Sequence, residues 1–360
     1  MNMIEFLKQP WPWYIAGPLI GLSVPALLLL DNKPFGVSSS LRHICAACFP
    51  ANIPFFKYDW KKEIWNLFFV AGILFGGLVA WNYLTNYQEI TLNPKLAIEL
   101  NKVGISDYKQ IVPTEIFNWE SLLTLKGIIM VVVGGFLVGF GTRYAGGCTS
   151  GHAIMGISSL QWPSLIATIC FMGGGVIVAN FILPDILKLE SMKNTTTAVD
   201  DNKEPIIIPG QQVENRKENL EKIILSNLKF LIAGFVFGIL LIKGEVISWF
   251  RIQEMFRFQS FHMFGIIGSA IAVGMISIWL IKKLRLKTIS REKISIPDKK
   301  FNKGLIYGGL LFGFGWAITG ACPGPLFVQI GSGTTVVIVT LLSAIAGTWV
   351  YGLLRERLPH

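Results

Sequence analysis

The chain has 360 residues, of which 52% are hydrophobic and only 15% charged, and its net charge is +10. Soluble globular domains carry about 25% charged residues, so lipid replaces water over much of this surface, and one soluble domain on a single anchor is excluded. The basic excess reads as cytoplasmic-loop bias, headgroup contact and attraction for anions, with no nucleic acid implied.

Apolar stretches approaching the roughly 20 residues that a helix needs to cross a bilayer core recur near 12–30, 64–84, 121–141, 163–183, 228–248, 262–281, 304–319 and 335–354. No small-residue cleavage pattern follows the first of them, so it reads as a retained helix and not as a signal peptide. Four segments between the spans are too short or too polar to cross: Phe35 to Pro50, Gly146 to Leu160, Ser248 to Phe261 and Ala321 to Ser332. Lipid cannot hydrogen-bond an open backbone, so Gly- and Pro-rich stretches at membrane depth must be buried in protein or line a wet cavity. The expected fold is all-α, a polytopic membrane helical bundle with short re-entrant helices.

An internal repeat organises the chain. Gly134 to Cys148 (GGFLVGFGTRYAGGC) and Gly308 to Cys322 (GGLLFGFGWAITGAC) are identical at eight of fifteen positions without a gap. A weaker echo pairs Val70 to Gly76 (VAGILFG) with Ile232 to Gly238 (IAGFVFG). Two pseudo-symmetric membrane repeats, 1–183 and 229–360, are therefore expected, joined by the hydrophilic linker 184–228 with its acids Asp200, Asp201, Glu204, Glu214 and Glu218. The loop from Lys282 to Lys303 holds nine Lys or Arg against two acids, which places it on the cytoplasmic side together with Arg355 and Arg357. Lys57, Lys61 and Lys62 ask for the same side, yet a plain eight-span count puts them outside. Parallel and inverted repeats both stay open.

In each repeat a glycine-studded helix runs into a small-residue turn that ends in cysteine. The first reads Gly146-Gly147-Cys148-Thr149-Ser150-Gly151-His152 and the second Gly320-Ala321-Cys322-Pro323-Gly324-Pro325. A helix broken at membrane depth presents unpaired N–H groups and a dipole end, and both attract anions. Thr149, Ser150 and Thr319 add hydroxyl donors there. Small residues also permit plain helix packing, but a cysteine at the same break in both copies favours a substrate site. Cys170 reads as a small apolar residue with no role. The stretch from Phe35 to Cys48 gathers Arg42, His43, Cys45 and Cys48 between apolar spans, where it could line an entrance. Arg143 and His152 lie beside the first break, and ionisable groups in such places mark pathways. Arg251, Arg257 and His262 suggest a matching set of cations in the second half. Five cysteines, an odd number, argue against a disulfide framework. No cofactor or metal site is indicated, and no nucleotide-binding signature is present.

In FGVSSSLRHICAAC, RYAGGCTSGH, FRFQSFHMFG and GACPGP the chain resembles the YeeE/YedE family of sulfur-compound transporters, whose characterised members take up thiosulfate. The resemblance runs over nearly the whole chain. It implies a pseudo-symmetric bundle whose short helices meet near the centre, with cysteines that pass thiosulfate along by S–H···S contacts. Cys148 and Cys322 match two of those cysteines; Cys45 and Cys48 compete for the third. The implied function is a non-enzymatic permease in a bacterial inner membrane, with a soluble sulfur-handling protein as a candidate partner at the cytoplasmic face. A membrane sulfurtransferase or thiol oxidoreductase, working by persulfide or disulfide chemistry with His43 or His152 as base, is the alternative.

Overall fold

The structure is a computed structural model that describes residues 3–85, 90–189 and 217–360. Eight helices among the described residues are long and apolar enough to cross a membrane. In chain order the elements are α1 (Trp13–Asp31), the short α2 (Ser39–Cys48), α3 (Trp60–Tyr83) and the surface helix α4 (Pro94–Asn101). Next come α5 (Leu125–Tyr144), the short α6 built from Ser150–Ile154 and Met155–Ser158, and α7 (Trp162–Lys188). The second half has α8 (Ile224–Lys243), the short α9 (Trp249–Phe256), α10 (His262–Lys283), α11 (Gly304–Thr319), the short α12 (Pro323–Gly331) and α13 (Val337–Arg357). Each of the four segments too short to cross thus holds a short helix. Large apolar side chains such as Phe75, Phe181, Ile276 and Leu342 are more than half exposed, as a lipid-facing surface requires.

With α4 set aside, both halves follow one order: long, short, long, long, short, long. Their packing is reciprocal. Helix α8 packs on α3 as α10 packs on α1; α7 packs on α11 as α13 packs on α5; and α12 packs on α3 as α6 packs on α10. The axis of this exchange is the α5–α11 contact. There a Cβ on Gly141 or Gly308 would strike the opposite backbone at one end, and one on Gly315 would do so at the other. Only small residues allow two helices so close.

Counterpart helices run in opposite directions. The Trp11 N–H donates to the Lys243 carbonyl (2.7 Å) while Lys229 pairs with Asp31 (3.5 Å), so α1 and α8 are antiparallel. Gly308 lies on Tyr144 and Ala145 while Gly134 lies on Ile318 and Thr319, so α5 and α11 are antiparallel too. The halves are therefore inverted. This geometry also removes the conflict over the lysines. Lys33 sits over the Trp65 ring, Arg355 over the Phe55 ring, and the N–H groups of Ile289 and Ser295 bond Leu29 and Asn32. Lys57, Lys61 and Lys62 thus share one end of the bundle with the basic loop and the C-terminal arginines. The plain count fails between Lys188 and Lys229, which close α7 and open α8 at opposite ends.

Two expectations change. The VAGILFG and IAGFVFG segments do not hold equivalent places, since one lies in α3, the second long helix of its half, and the other in α8, the first. They match because these two helices pack on each other: Gly72 and Gly76 meet the backbone of Leu231 and Phe235, and Gly234 and Gly238 meet Phe69 and Ile73. The linker is also shorter than 184–228, because residues 184–188 and 217–228 are helical. Its acids from Asp200 to Glu214 lie outside the described residues, as does the side chain of Glu218.

Both broken helices end on a left-handed glycine, Gly146 (φ +76°) in the first half and Gly320 (φ +68°) in the second, at matching positions of the repeat. Beyond Gly146 there is open space, whereas a Cβ on Gly320 would enter the Trp249 side chain and backbone. Gly146→Ala is expected to cost about 1–2 kcal/mol, the left-handed penalty alone, and Gly320→Ala clearly more, read as loss of melting temperature in detergent. A second check concerns sidedness. With native cysteines removed, Lys61→Cys and Lys287→Cys will react with a membrane-impermeant maleimide from the same side of sealed vesicles, and reaction from opposite sides would refute the inverted arrangement.

Candidate functional site

Breaking a helix orphans the carbonyls of its last turn, and each half covers them with a neighbouring short helix. After α5, the Gly147 N–H returns to Thr142 O (2.8 Å), and His152 Nε2–H donates to Ala145 O (3.0 Å). After α11, Trp249 Nε1 donates to Ile318 O (3.1 Å) and Gln253 Nε2 to Ala317 O (2.7 Å), both from α9. The turns are thus held rigidly where α6 and α12 begin.

Between these turns lies a mostly apolar cavity of about 50 Å³, with Thr149, Ser150 and Cys322 among its few polar groups and Val37, Trp316 and Pro325 among its walls. A volume of that size holds roughly three or four waters. Cys322 caps α12, and the backbone N–H groups of Cys322 and Gly324 face its sulfur. Cys148 is fully buried behind Ser150, with its Sγ 3.2 Å from Ser150 Oγ. Ser150 Oγ also accepts from the Val37 N–H (3.1 Å), which ties the approach to α2 onto the first break. Thr149 Oγ1 is buried without a partner among the described residues. A buried hydroxyl in that state leaves a donor for something that enters the cavity. A second cavity, of about 60 Å³ and lined by Lys8, Lys109, Lys243, Glu245 and Ser248, lies toward the other end of the bundle. Segment 241–248 contributes Leu241 and Val246 to the first cavity and Ile242, Lys243 and Ile247 to the second, and so separates them.

The remaining residues singled out in the sequence are placed as follows. Arg143 reaches from the first break to Ser38 Oγ (2.9 Å), and its Nε is buried without a partner among the described residues. Arg42 lies between the rings of Phe55 and Tyr58, each 4.2 Å from its guanidinium carbon, and donates to Phe55 O. His43 Nδ1 bonds the Tyr58 hydroxyl (2.6 Å). Arg42 and His43 therefore fasten the loop after α2 and do not reach the cavity. Cys45 is buried against α13, where its thiol donates to Ile345 O (3.5 Å), and Cys48 is exposed at the end of α2. Neither lines the cavity. Gly147 leaves room for the His152 ring, which would collide with any side chain there. Cys170 packs against Gly309 of α11.

The expected match of cations between the halves is not found. Arg251 is paired with Glu245 and Glu254 (2.8 Å each), Arg257 with Glu99, and His262 Nε2 with the Gly244 carbonyl. Arg42 and Arg143 have no carboxylate within 4 Å among the described residues. Sequence reasoning also missed Lys299. From the basic loop its Nζ donates to Gly151 O (2.7 Å) and lies 3.4 Å from His152 Nδ1, and burial pushes its ammonium down to about 8. Nothing in the sequence around Lys299 sets it apart from the eight other cations of the loop.

A family model described as Sulphur transport matches residues 112–177 and 243–356, together half of the chain. A probable transporter of Xylella fastidiosa (strain Temecula1 / ATCC 700964) is 31% identical over 130 residues, which is 34% of this chain and 87% of the relative. A second probable transporter from that strain is 28% identical over 177 residues, 49% of this chain and 97% of its own length. The thiosulfate transporter TsuA of Spirochaeta thermophila is 26% identical over 105 residues, 29% of this chain and 30% of TsuA. The matched regions take in both broken helices with Cys148 and Cys322, and on this footing the chain belongs to the YeeE/YedE sulphur-transport family of multi-pass membrane transporters.

Proposed function

We propose that the chain is a permease that takes up thiosulfate or a closely related small sulfur-containing anion across a bacterial inner membrane, by way of the cavity between its two broken helices. The observation that carries this reading is that the two breaks meet at one cavity, Cys322 lining it directly and Cys148 lying behind Ser150, beside the Thr149 hydroxyl that has no partner among the described residues. A thiol is a weak donor, suited to a polarisable sulfur that must be held and released. Thr149 and Ser150 donate to the anion's oxygens, and the N–H groups around Cys322 add positive potential. The similarity to a protein named as a thiosulfate transporter supports the substrate class.

The basic end, with the loop 284–303 and Lys57 to Lys62, faces the cytoplasm. The cavity lined by Lys8, Lys109 and Lys243 then opens toward the outside, and Cys48 is the exposed thiol on the inner side, where a soluble sulfur-handling protein receives the anion. The repeats 1–183 and 229–360 supply one break each. Covalent chemistry is disfavoured, because both ring nitrogens of His152 are engaged, by Ala145 O and by Ser164 Oγ (3.1 Å), which leaves it unsuited to activate a thiol.

The test is uptake of labelled thiosulfate into proteoliposomes at equal folded amounts. Cys148→Ser and Cys322→Ser should each slow uptake about tenfold or more, an effect of about 1.4 kcal/mol, and Thr149→Val should weaken it less. If wild-type vesicles take up no more than empty ones under proton, sodium and potential gradients, the reading is wrong.

A further inference from the structure

We propose that Lys299 is an anion-binding residue of the path: the basic loop delivers its ammonium to the first break, where with Arg143 it brackets Cys148 and draws the anion out toward the basic face. The inference rests on the permease reading above and adds to it a residue from outside the membrane spans. The loop is fastened at three points before it reaches the site: Ile289 N–H to Leu29 O (2.8 Å), Ser295 N–H to Asn32 Oδ1 (3.0 Å) and Gln161 Nε2 to Pro297 O (2.8 Å). Lys300 and Lys303 then point to solvent, while Lys299 turns inward.

Its ammonium bonds the carbonyl of Gly151, and the N–H groups of Gly151 and His152 both return to Cys148 O (3.1 and 2.8 Å). The charge therefore sits on the turn that carries the thiol. His152 Nε2–H is spent on Ala145 O, so Nδ1 is the acceptor that faces Lys299 and Ser164. Two cations flank the turn that carries the thiol, Lys299 on the Gly151 carbonyl and Arg143 five residues before Cys148, and among the described residues neither has a carboxylate within 4 Å. A half-buried cation whose nearest partners are a carbonyl and a neutral imidazole lacks a counter-charge. An anion at Cys148 supplies it.

The experiment reads the field at Cys148 and does not depend on thiosulfate transport. In a variant whose other four cysteines are alanine, the rate of Cys148 modification is measured in sealed vesicles with an anionic sulfonatoethyl and with a cationic trimethylammonioethyl methanethiosulfonate. Lys299→Gln should lower the anionic-to-cationic rate ratio about fivefold or more, while Lys299→Arg and the control Lys303→Gln leave it near the starting value. An unchanged ratio in well-folded Lys299→Gln overturns the proposal, and so does a Cys148 that neither reagent reaches. A ratio that falls as expected in vesicles that take up no thiosulfate supports the role of Lys299 while removing thiosulfate as the substrate.

Discussion

Every backbone group at membrane depth needs a partner inside the protein, and the arrangement of this chain follows from how it satisfies that demand while breaking two helices. The contact of α5 with α11 is so close that Gly141, Gly308 and Gly315 each face the opposite backbone. Because the contact is antiparallel, each broken end is packed against the earlier part of the other helix. The orphaned carbonyls there are met by side chains fixed in sequence for the purpose: His152 in the first half, Trp249 and Gln253 in the second. Once the carbonyls are covered, the turns bearing Cys148 and Cys322 can stay open without exposing unpaired backbone to lipid.

The two halves share this framework but distribute charge differently. In the second half the arginines are bound into ion pairs with Glu99, Glu245 and Glu254, and these pairs fasten α9 and the residue 90–124 region together. In the first half the guanidinium groups meet rings, a carbonyl and a serine instead. The two halves share a backbone plan and differ in the side chains it carries. The guanidinium groups at the first break and α2 thus keep bare positive charge while those of α9 and Arg257 are neutralised.

Much of this was legible in the sequence. All eight long helices fall within a few residues of the apolar stretches, because length and hydropathy alone decide which segments lipid accepts. The two breaks were legible from Gly146-Gly147-Cys148 and Gly320-Ala321-Cys322, since left-handed glycine and a small neighbour are local requirements. What was hidden depends on partners distant in sequence. The echo around Gly72 and Gly234 looked like a repeat because helix packing selects the same small residues that duplication preserves. The partners of Arg251, Glu254 on its own helix and Glu245 six residues back, were within reach of the sequence, whereas Arg257 looked like a path residue because its carboxylate, Glu99, lies on α4. The inverted direction of the halves was hidden for the same reason, as it is fixed by contacts such as Trp11 with Lys243. Lys299 was invisible among its equally basic neighbours, because only the fastening of the loop to Leu29, Asn32 and Gln161 turns it inward.

The small volume and apolar walls of the cavity beside Cys322 have a further consequence. Room for a few waters leaves an ion no space for its hydration shell, so whatever enters must shed most of that shell at the threshold. The free energy of dehydration is lowest for large anions whose charge is spread over polarisable atoms and highest for compact, strongly hydrated ones. On the permease reading, discrimination begins before any donor is reached, with the greasy wall of Val37, Trp316 and Pro325 rejecting ions by the strength of their hold on water.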